Sequence, residues 1–315
     1  MMNKKDNYAL DGVVLLDKPF GLSSNTALQK VRRLYQAKKA GHTGNLDPYA
    51  TGLLPICFGE ATKFSQRWLE ADKGYRATIT FGAISNTGDK EGILTPTQQP
   101  LPSKVMVQQA LLHFQGDLAQ VPPMYSALKH QGKALYEYAR RGEEILRPAR
   151  TITIRQLSLH TQLDEDTFIV DVVCSKGTYI RVLAEDIGRY LGCGAYLSGL
   201  QRTLAGTFLL QEAYTIAQLE ALDRSNLGKA LLPIDQLVMG LDPLTLEKEQ
   251  ARALLQGKKV WLKEKSYQKA EYRLYVPSKA GDNTEFIGLG RIEAENYLYP
   301  SRMLAKAVAQ FTSAA

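Results

Sequence analysis

The chain has 315 residues, 44% hydrophobic and 23% charged, with a formal net charge of +7. That apolar content excludes a disordered chain, and 25 glycines are far too few for a collagen-like one. The length allows a sizeable core without disulfide or metal staples, and at roughly 150 residues per domain it suggests two domains.

Residues 12–17 (GVVLLD) read as a short buried strand. Ser23-Ser24-Asn25 opens a helix, with Ala27, Leu28, Val31, Leu34 and Tyr35 at helical spacing and Gly41 as its stop. Residues 41–59, rich in Gly and Pro, read as a long structured loop holding at most a short helix. Residues 75–81 alternate as a half-buried strand, with Tyr75, Ala77, Ile79 and Phe81 on one face. A helix is predicted at 104–115, irregular chain at 120–150, and alternating strands at 151–160 and 167–174. Residues 178–191 form an amphipathic helix with Ile180, Leu183, Ala184, Ile187 and Leu191 on one face. After Leu241-Asp242-Pro243, strand-like runs at 259–263, 272–276 and 285–289 suggest a small β-rich domain beginning near residue 246. Intermixed strands, helices and hairpins favour an α+β class over a doubly wound parallel sheet.

Cys57, Cys174 and Cys193 are widely separated, and the four histidines form no ligand-spaced pair. Neither a zinc site nor a disulfide framework is expected, and unpaired cysteines fit a reducing compartment. The apolar run 13–16 is too short for a signal-peptide core, and no stretch approaches the roughly 18 apolar residues of a membrane span. A cytoplasmic chain without a membrane segment is the expectation.

The charge is uneven. Residues 251–315 hold 11 Lys/Arg against 6 Asp/Glu. Residues 24–46 hold Lys30, Arg32, Arg33, Lys38 and Lys39 with no acid, and residues 129–155 hold seven bases against three acids. Either each cluster is a solvated surface, or the three together grip a polyanion through its phosphates.

Asp47 stands in the Gly-rich loop directly before Pro48. The proline favours an extended aspartate, which can hold a carboxylate outward as a nucleophile. Asp-Pro is equally a helix N-cap followed by a first-turn proline. Arg181 would lie in the first turn of its helix, where the macrodipole disfavours a cation. A buried carboxylate or a phosphate would resolve that mismatch, and so would an i,i+4 pair with Glu185. Tyr75 is either a core-edge aromatic or a stacking surface for a planar base. His42 is a loop histidine, and Lys18-Pro19 reads as a turn.

The segments LDKPFGLSS (16–24), GHTGNLDPYATGLLPICFGEATK (41–63), DKGYRATITFG (72–82) and CSKGTYIRVLAEDIG (174–188) resemble the TruB family, in family order. The terminal segment is similar, more weakly, to an RNA-binding PUA domain. The resemblance implies a pseudouridine synthase fold at about 1–245 and a PUA-like domain at 246–315. It implies isomerisation of the uridine at position 55 in the T-loop of tRNA, with no metal or organic cofactor. The expected partner is the tRNA T-arm, with a monomeric protein and no obligatory protein partner.

By the same resemblance Asp47 is the catalytic aspartate, Tyr75 stacks on the target base, and Arg181 pairs with the carboxylate; held near that cation, Asp47 is expected to stay ionised. Three routes for Asp47 stay open: addition to the sugar, addition to the uracil ring, or an elimination intermediate. Leu200 lines the uracil pocket and His42 engages the opened loop. Lys18 and Pro19 belong to a motif that supports the active-site loop and are counted with the substrate-binding residues. The insert at 124–150, with Lys129, Arg140 and Arg141, closes over the RNA. Gln201 departs from the pattern, since the family usually carries a second arginine beside Arg202.

Overall fold

The computed structural model describes residues 10–263, 267–268, 270–278, 284–293 and 296–312. The chain opens with β1 (Gly12–Lys18), α1 (Ser24–Leu34), β2 (Ala40–His42) and β3 (Thr51–Phe58). A 3-10 turn at Gly59–Lys63 and α2 (Ser65–Glu70) lead to β4 (Lys73–Phe81). A hairpin, β5 (Ala83–Ser85) and β6 (Leu94–Pro96), precedes α3 (Lys104–His113) and β7 (Gly116–Gln120). The insert carries β8 (Lys129–His130), β9 (Lys133–Ala134) and α4 (Leu135–Ala139). Then come β10 (Arg150–Gln162), β11 (Thr167–Cys174), α5 (Ile180–Tyr190), β12 (Ala195–Ala205), β13 (Phe208–Leu209) and β14 (Tyr214–Thr215). Two short helices follow, α6 (Ile216–Ala221) and α7 (Arg224–Lys229).

The main sheet runs β14-β1-β3-β12-β4-β11-β10-β7, with β2 added to β3 and β13 to β12. Its pairings are antiparallel except β1 with β14 and β3 with β12. The mixed α+β architecture therefore agrees with the sequence reading. On β4, Ala77, Ile79 and Phe81 are buried against α3 and α5, while Arg76, Thr78 and Thr80 are only partly covered. On the other half of the sheet, Ala27, Leu28 and Val31 of α1 pack against Leu54, Ile56 and Phe58. Ser23 caps α1 by accepting the Thr26 N–H at 3.1 Å.

Three expectations need correction. The first helix stops at Leu34, and Gly41 lies in strand β2. Residues 51–58 are a strand, not a loop: LLPICF is buried on both faces, so it shows no alternation. Residues 120–150 contain a hairpin and a short helix.

A second sheet, β15 (Pro243–Thr245), β16 (Val260–Trp261), β17 (Glu271–Pro277), β18 (Thr284–Ile292) and β19 (Tyr297–Met303), has the order β15-β17-β18-β19-β16. It packs with α8 (Lys248–Leu255) and α9 (Ala305–Thr312). Its apolar face is continuous with the first unit: Leu53, Phe64 and Trp68 share one core with Leu254, Tyr272, Leu274 and Leu298. Around that core Lys63 Nζ donates to Met303 O at 3.2 Å, and Ala305 N–H donates to Glu60 Oε2 at 2.6 Å. Among the described residues no helix is long and apolar enough to cross a membrane.

Candidate active site

The segment between β2 and β3 carries Asp47, and its backbone is tied down from several sides. Ser24 Oγ accepts the Leu46 N–H at 2.7 Å and donates to Leu46 O at 3.0 Å. Lys18 Nζ reaches Pro48 O at 3.4 Å, and Gly21 N–H donates to the same oxygen at 2.8 Å. Arg202 spans the loop from β12, with Nε on Leu53 O at 2.7 Å and its two Nη atoms on Asn45 O and Gly44 O, each at 3.3 Å. Gly52 is required where β3 meets β12: at φ +97° an added Cβ would lie 2.3 Å from Arg202 O.

The residues after Asp47 make a turn, with Ala50 N–H on Asp47 O at 3.1 Å, and no helix. The N-cap alternative for Asp47 therefore fails. Its side chain instead faces a cavity of about 260 Å3 that Tyr75, Ser126, Tyr179, Arg181 and Leu200 also line. Arg181 Nη2 sits 3.1 Å from Asp47 Oδ2, and Arg181 Nη1 sits 3.5 Å from Asp89 Oδ2. The same guanidinium donates to Thr87 O at 3.0 Å and Tyr125 O at 2.7 Å. The mismatched cation in the first turn of α5 is thus resolved by two carboxylates and two carbonyls, not by Glu185. A planar donor fork suits that four-way demand; a lysine point charge would not.

Burial raises the Asp47 pKa above the ordinary aspartate value; Arg181 pulls it down and Asp89 adds to the rise. Desolvation and the ion pair oppose each other here, and the net direction is upward. The Tyr75 phenol is also pushed up by burial, against the pull of Arg202, so it is neutral near pH 7. Two hydroxyls on the wall, Tyr49 Oη and Ser126 Oγ, are buried without a hydrogen-bond partner among the described residues.

The model of the TruB family pseudouridylate synthase N-terminal domain matches residues 32–180. Models of the tRNA pseudouridylate synthase B C-terminal domain and of the pseudouridine synthase II TruB C-terminal region match 181–239 and 243–304. A tRNA pseudouridine synthase B from Chromobacterium violaceum is 50% identical over 296 residues, covering 94% of this chain and 95% of that one. The chain belongs to the TruB family. A second relative with the same description, from Methylobacillus flagellatus, is 49% identical over 98% of this chain and 99% of its own. Two solved structures share the TruB fold at low identity. One is a Cbf5-Nop10-Gar1 complex (TM-score 0.68, 22% identity, 93% of this chain and 82% of that chain). The other is an H/ACA RNP bound to a substrate RNA containing 2'-deoxyuridine (TM-score 0.66, 20% identity, 94% and 80%).

In this TruB chain Asp47, Tyr75, Arg181 and Leu200 line one cavity. Lys18 and Pro19 do not. Lys18 is fully buried, and its ammonium is spent on the carbonyls of Pro19 (3.0 Å), Leu22 (2.7 Å) and Pro48. It carries the loop from below, and burial pushes its pKa down to about 8. His42 is half-buried on β2, outside the cavity, and burial lowers its pKa, as does Arg202. Lys129, Arg140 and Arg141 lie on the outer surface of the insert, with Arg141 paired to Glu143 at 2.6 Å. The insert meets the cavity through Ser126 and Ala127.

Sequence reasoning missed Asp89, Arg202 and Ser126. The buried Arg202 had a signal, its pairing with Gln201 in the departure noted above. Strand alternation turns Leu200 and Arg202 toward the cavity and Gln201 away, into a separate cavity with Lys30 and Thr215. Asp89 and Ser126 had none: Asp89 meets Arg181 only across 92 residues of chain, and Ser126 reaches the cavity wall only through the folding of the insert.

Proposed function

We propose that this protein converts the uridine at position 55 in the T-loop of tRNA to pseudouridine, acting alone, as a monomer, in the cytoplasm. Family membership and the names of two relatives about 50% identical support tRNA uridine as the substrate. The observation that carries the reading is a carboxylate on a rigid loop, 3.1 Å from a buried guanidinium, in a cavity walled by an aromatic ring and an apolar side chain.

A uracil inside a folded loop must be unstacked before it can enter such a cavity, at a cost of a few kcal/mol. Tyr75 offers the ring on which the everted base stacks, with Leu200 beside it on the neighbouring strand. Asp47 is the nucleophile, and Arg181 holds it in position and favours its ionised form. The N1–C1′ bond breaks, the uracil turns, and C5 bonds to C1′. C5 loses a proton and N1 gains one, so the reaction is redox-neutral. Ser126 Oγ and Tyr49 Oη are buried hydroxyls suited to the polar edges of the base or ribose.

The insert at 124–150 grips the RNA backbone through Lys129, Arg140 and Arg141, and His42 engages the opened loop beside the cavity. The residues from about 246 onward form a PUA-like RNA-binding unit beside a synthase unit at 1–245. The decisive experiment is pseudouridine mapping on a tRNA transcript incubated with the purified protein alone. The wild type is expected to modify one T-loop uridine; Asp47→Ala is expected to bind the transcript and leave it unmodified. Product from Asp47→Ala would remove the nucleophile assignment, and no product from the wild type would remove the reading itself.

A further inference from the structure

An aromatic ring stands in solvent beside the active-site loop. Phe20 is 58% exposed, yet its turn is rigidly built. Lys18 Nζ donates to Pro19 O at 3.0 Å and Leu22 O at 2.7 Å, clamping the chain on both sides of the ring. Gly21, at φ +82°, folds the turn back so that its N–H meets Pro48 O at 2.8 Å, one residue from Asp47. A side chain this apolar gives up its burial free energy by remaining in water.

The ring is not alone. Lys90 Nζ lies over it, 5.2 Å from the centroid. Lys90 follows the buried Asp89 that pairs with Arg181, and its N–H donates to Leu197 O of β12 at 3.1 Å. Both partners are therefore anchored on segments that build the cavity. One ring face has a cation over it, and the exposure leaves the rest of the ring to solvent.

We propose that Phe20 and Lys90 form a nucleotide platform at the cavity mouth. The free face of Phe20 stacks an unpaired base next to the everted uridine, and the Lys90 ammonium meets the adjoining phosphate. This rests on the reading that the substrate is a tRNA loop with one base flipped out. Eversion takes a stacking partner from the neighbouring base, and an aromatic face supplies a replacement of any base identity. A cation over the ring's other face suits the phosphate that must pass there.

The test compares Kd and KM for a tRNA transcript among wild type, Phe20→Ala, Phe20→Leu, Phe20→Trp and Lys90→Gln. Phe20→Ala is expected to raise both about tenfold, the scale of one base–aromatic stack. Phe20→Trp is expected to stay near wild type. Phe20→Leu should behave as alanine does, since leucine keeps the apolar contact with the lysine stem but offers no ring. Lys90→Gln should flatten the salt dependence of log Kd by about 0.7. Alanine values within twofold of wild type, or leucine as good as tryptophan, would overturn the platform. Reading Kd beside turnover separates the failures: a wild type that binds the transcript without modifying it overturns the proposed function, and the Kd series still decides the platform.

Discussion

The loop at 43–50 and the insert at 124–150 both border the cavity, and they are built in opposite ways. The loop is held by Arg202, Lys18 and Ser24, all three buried, and each bonds backbone oxygens directly. The insert buries little beyond Ser126, Ala134, Leu135 and Tyr138, and most of its charged side chains face solvent, Arg147 being the covered exception. It touches the cavity through Ser126 and Ala127 and through the bond from Arg181 to Tyr125 O. A reacting carboxylate must be placed to a fraction of an ångström, which calls for over-determined backbone. A surface that holds an irregular polyanion gains from long, solvated side chains. Arg181 joins the two regimes, with one guanidinium serving the loop's carboxylate and the insert's backbone.

Breaking that joint should have the largest effect. Arg181→Met leaves Asp47 and Asp89 buried without their cation, a cost of roughly 3–5 kcal/mol. Single-turnover pseudouridine formation is expected to fall about a hundred- to a few-thousandfold, since each 1.4 kcal/mol is a factor of ten. A wild-type rate would remove the ion pair from the argument. Lys18→Met tests the loop alone. It strips a donor from buried carbonyls, at about 1–3 kcal/mol, so the rate should fall about ten- to a hundredfold with tRNA affinity little changed. A loss confined to affinity would make Lys18 a substrate contact after all.

The pH profile sharpens the same contrast. The Asp47 pKa is raised, so its ionised fraction is lost on acidification at a higher pH than for an ordinary aspartate. The acid limb of kcat/KM should lie above that of a solvated carboxylate. In Arg181→Lys the limb should move further up, because weaker pairing leaves burial less opposed; a downward move would contradict the assigned cause. The smallest effect is expected in the insert. Replacing Lys129, Arg140 and Arg141 with alanine should weaken tRNA binding and lower the salt slope of log Kd by about two. An unchanged slope would place the RNA elsewhere.

Local pattern made much of this molecule legible. Alternation at 75–81 and the amphipathic run at 178–191 became a strand and a helix close to the expected limits. Arg181 drew notice because a cation in a first helical turn needs a reason, and Asp47 because a Gly-rich loop does. Strand β3 was hidden, since a strand covered on both faces carries no period and its Gly and Pro resemble loop punctuation. Asp89 and Arg202 were hidden for another cause. Arg202 reaches carbonyls more than 140 residues away in the chain, and no spacing rule spans that separation. The roles drawn from family resemblance went further than residue physics alone, most visibly for Leu200.

The apolar core shared by the two sheets bears on how the protein melts. Phe64 and Trp68 are buried in one cluster with Leu274 and Leu298 of the smaller sheet. Calorimetry should therefore record one cooperative transition, and cutting the chain near residue 245 would strip cover from the half that carries the chemistry. The terminal sheet is in this sense a wall of the enzyme as much as an appendage to it.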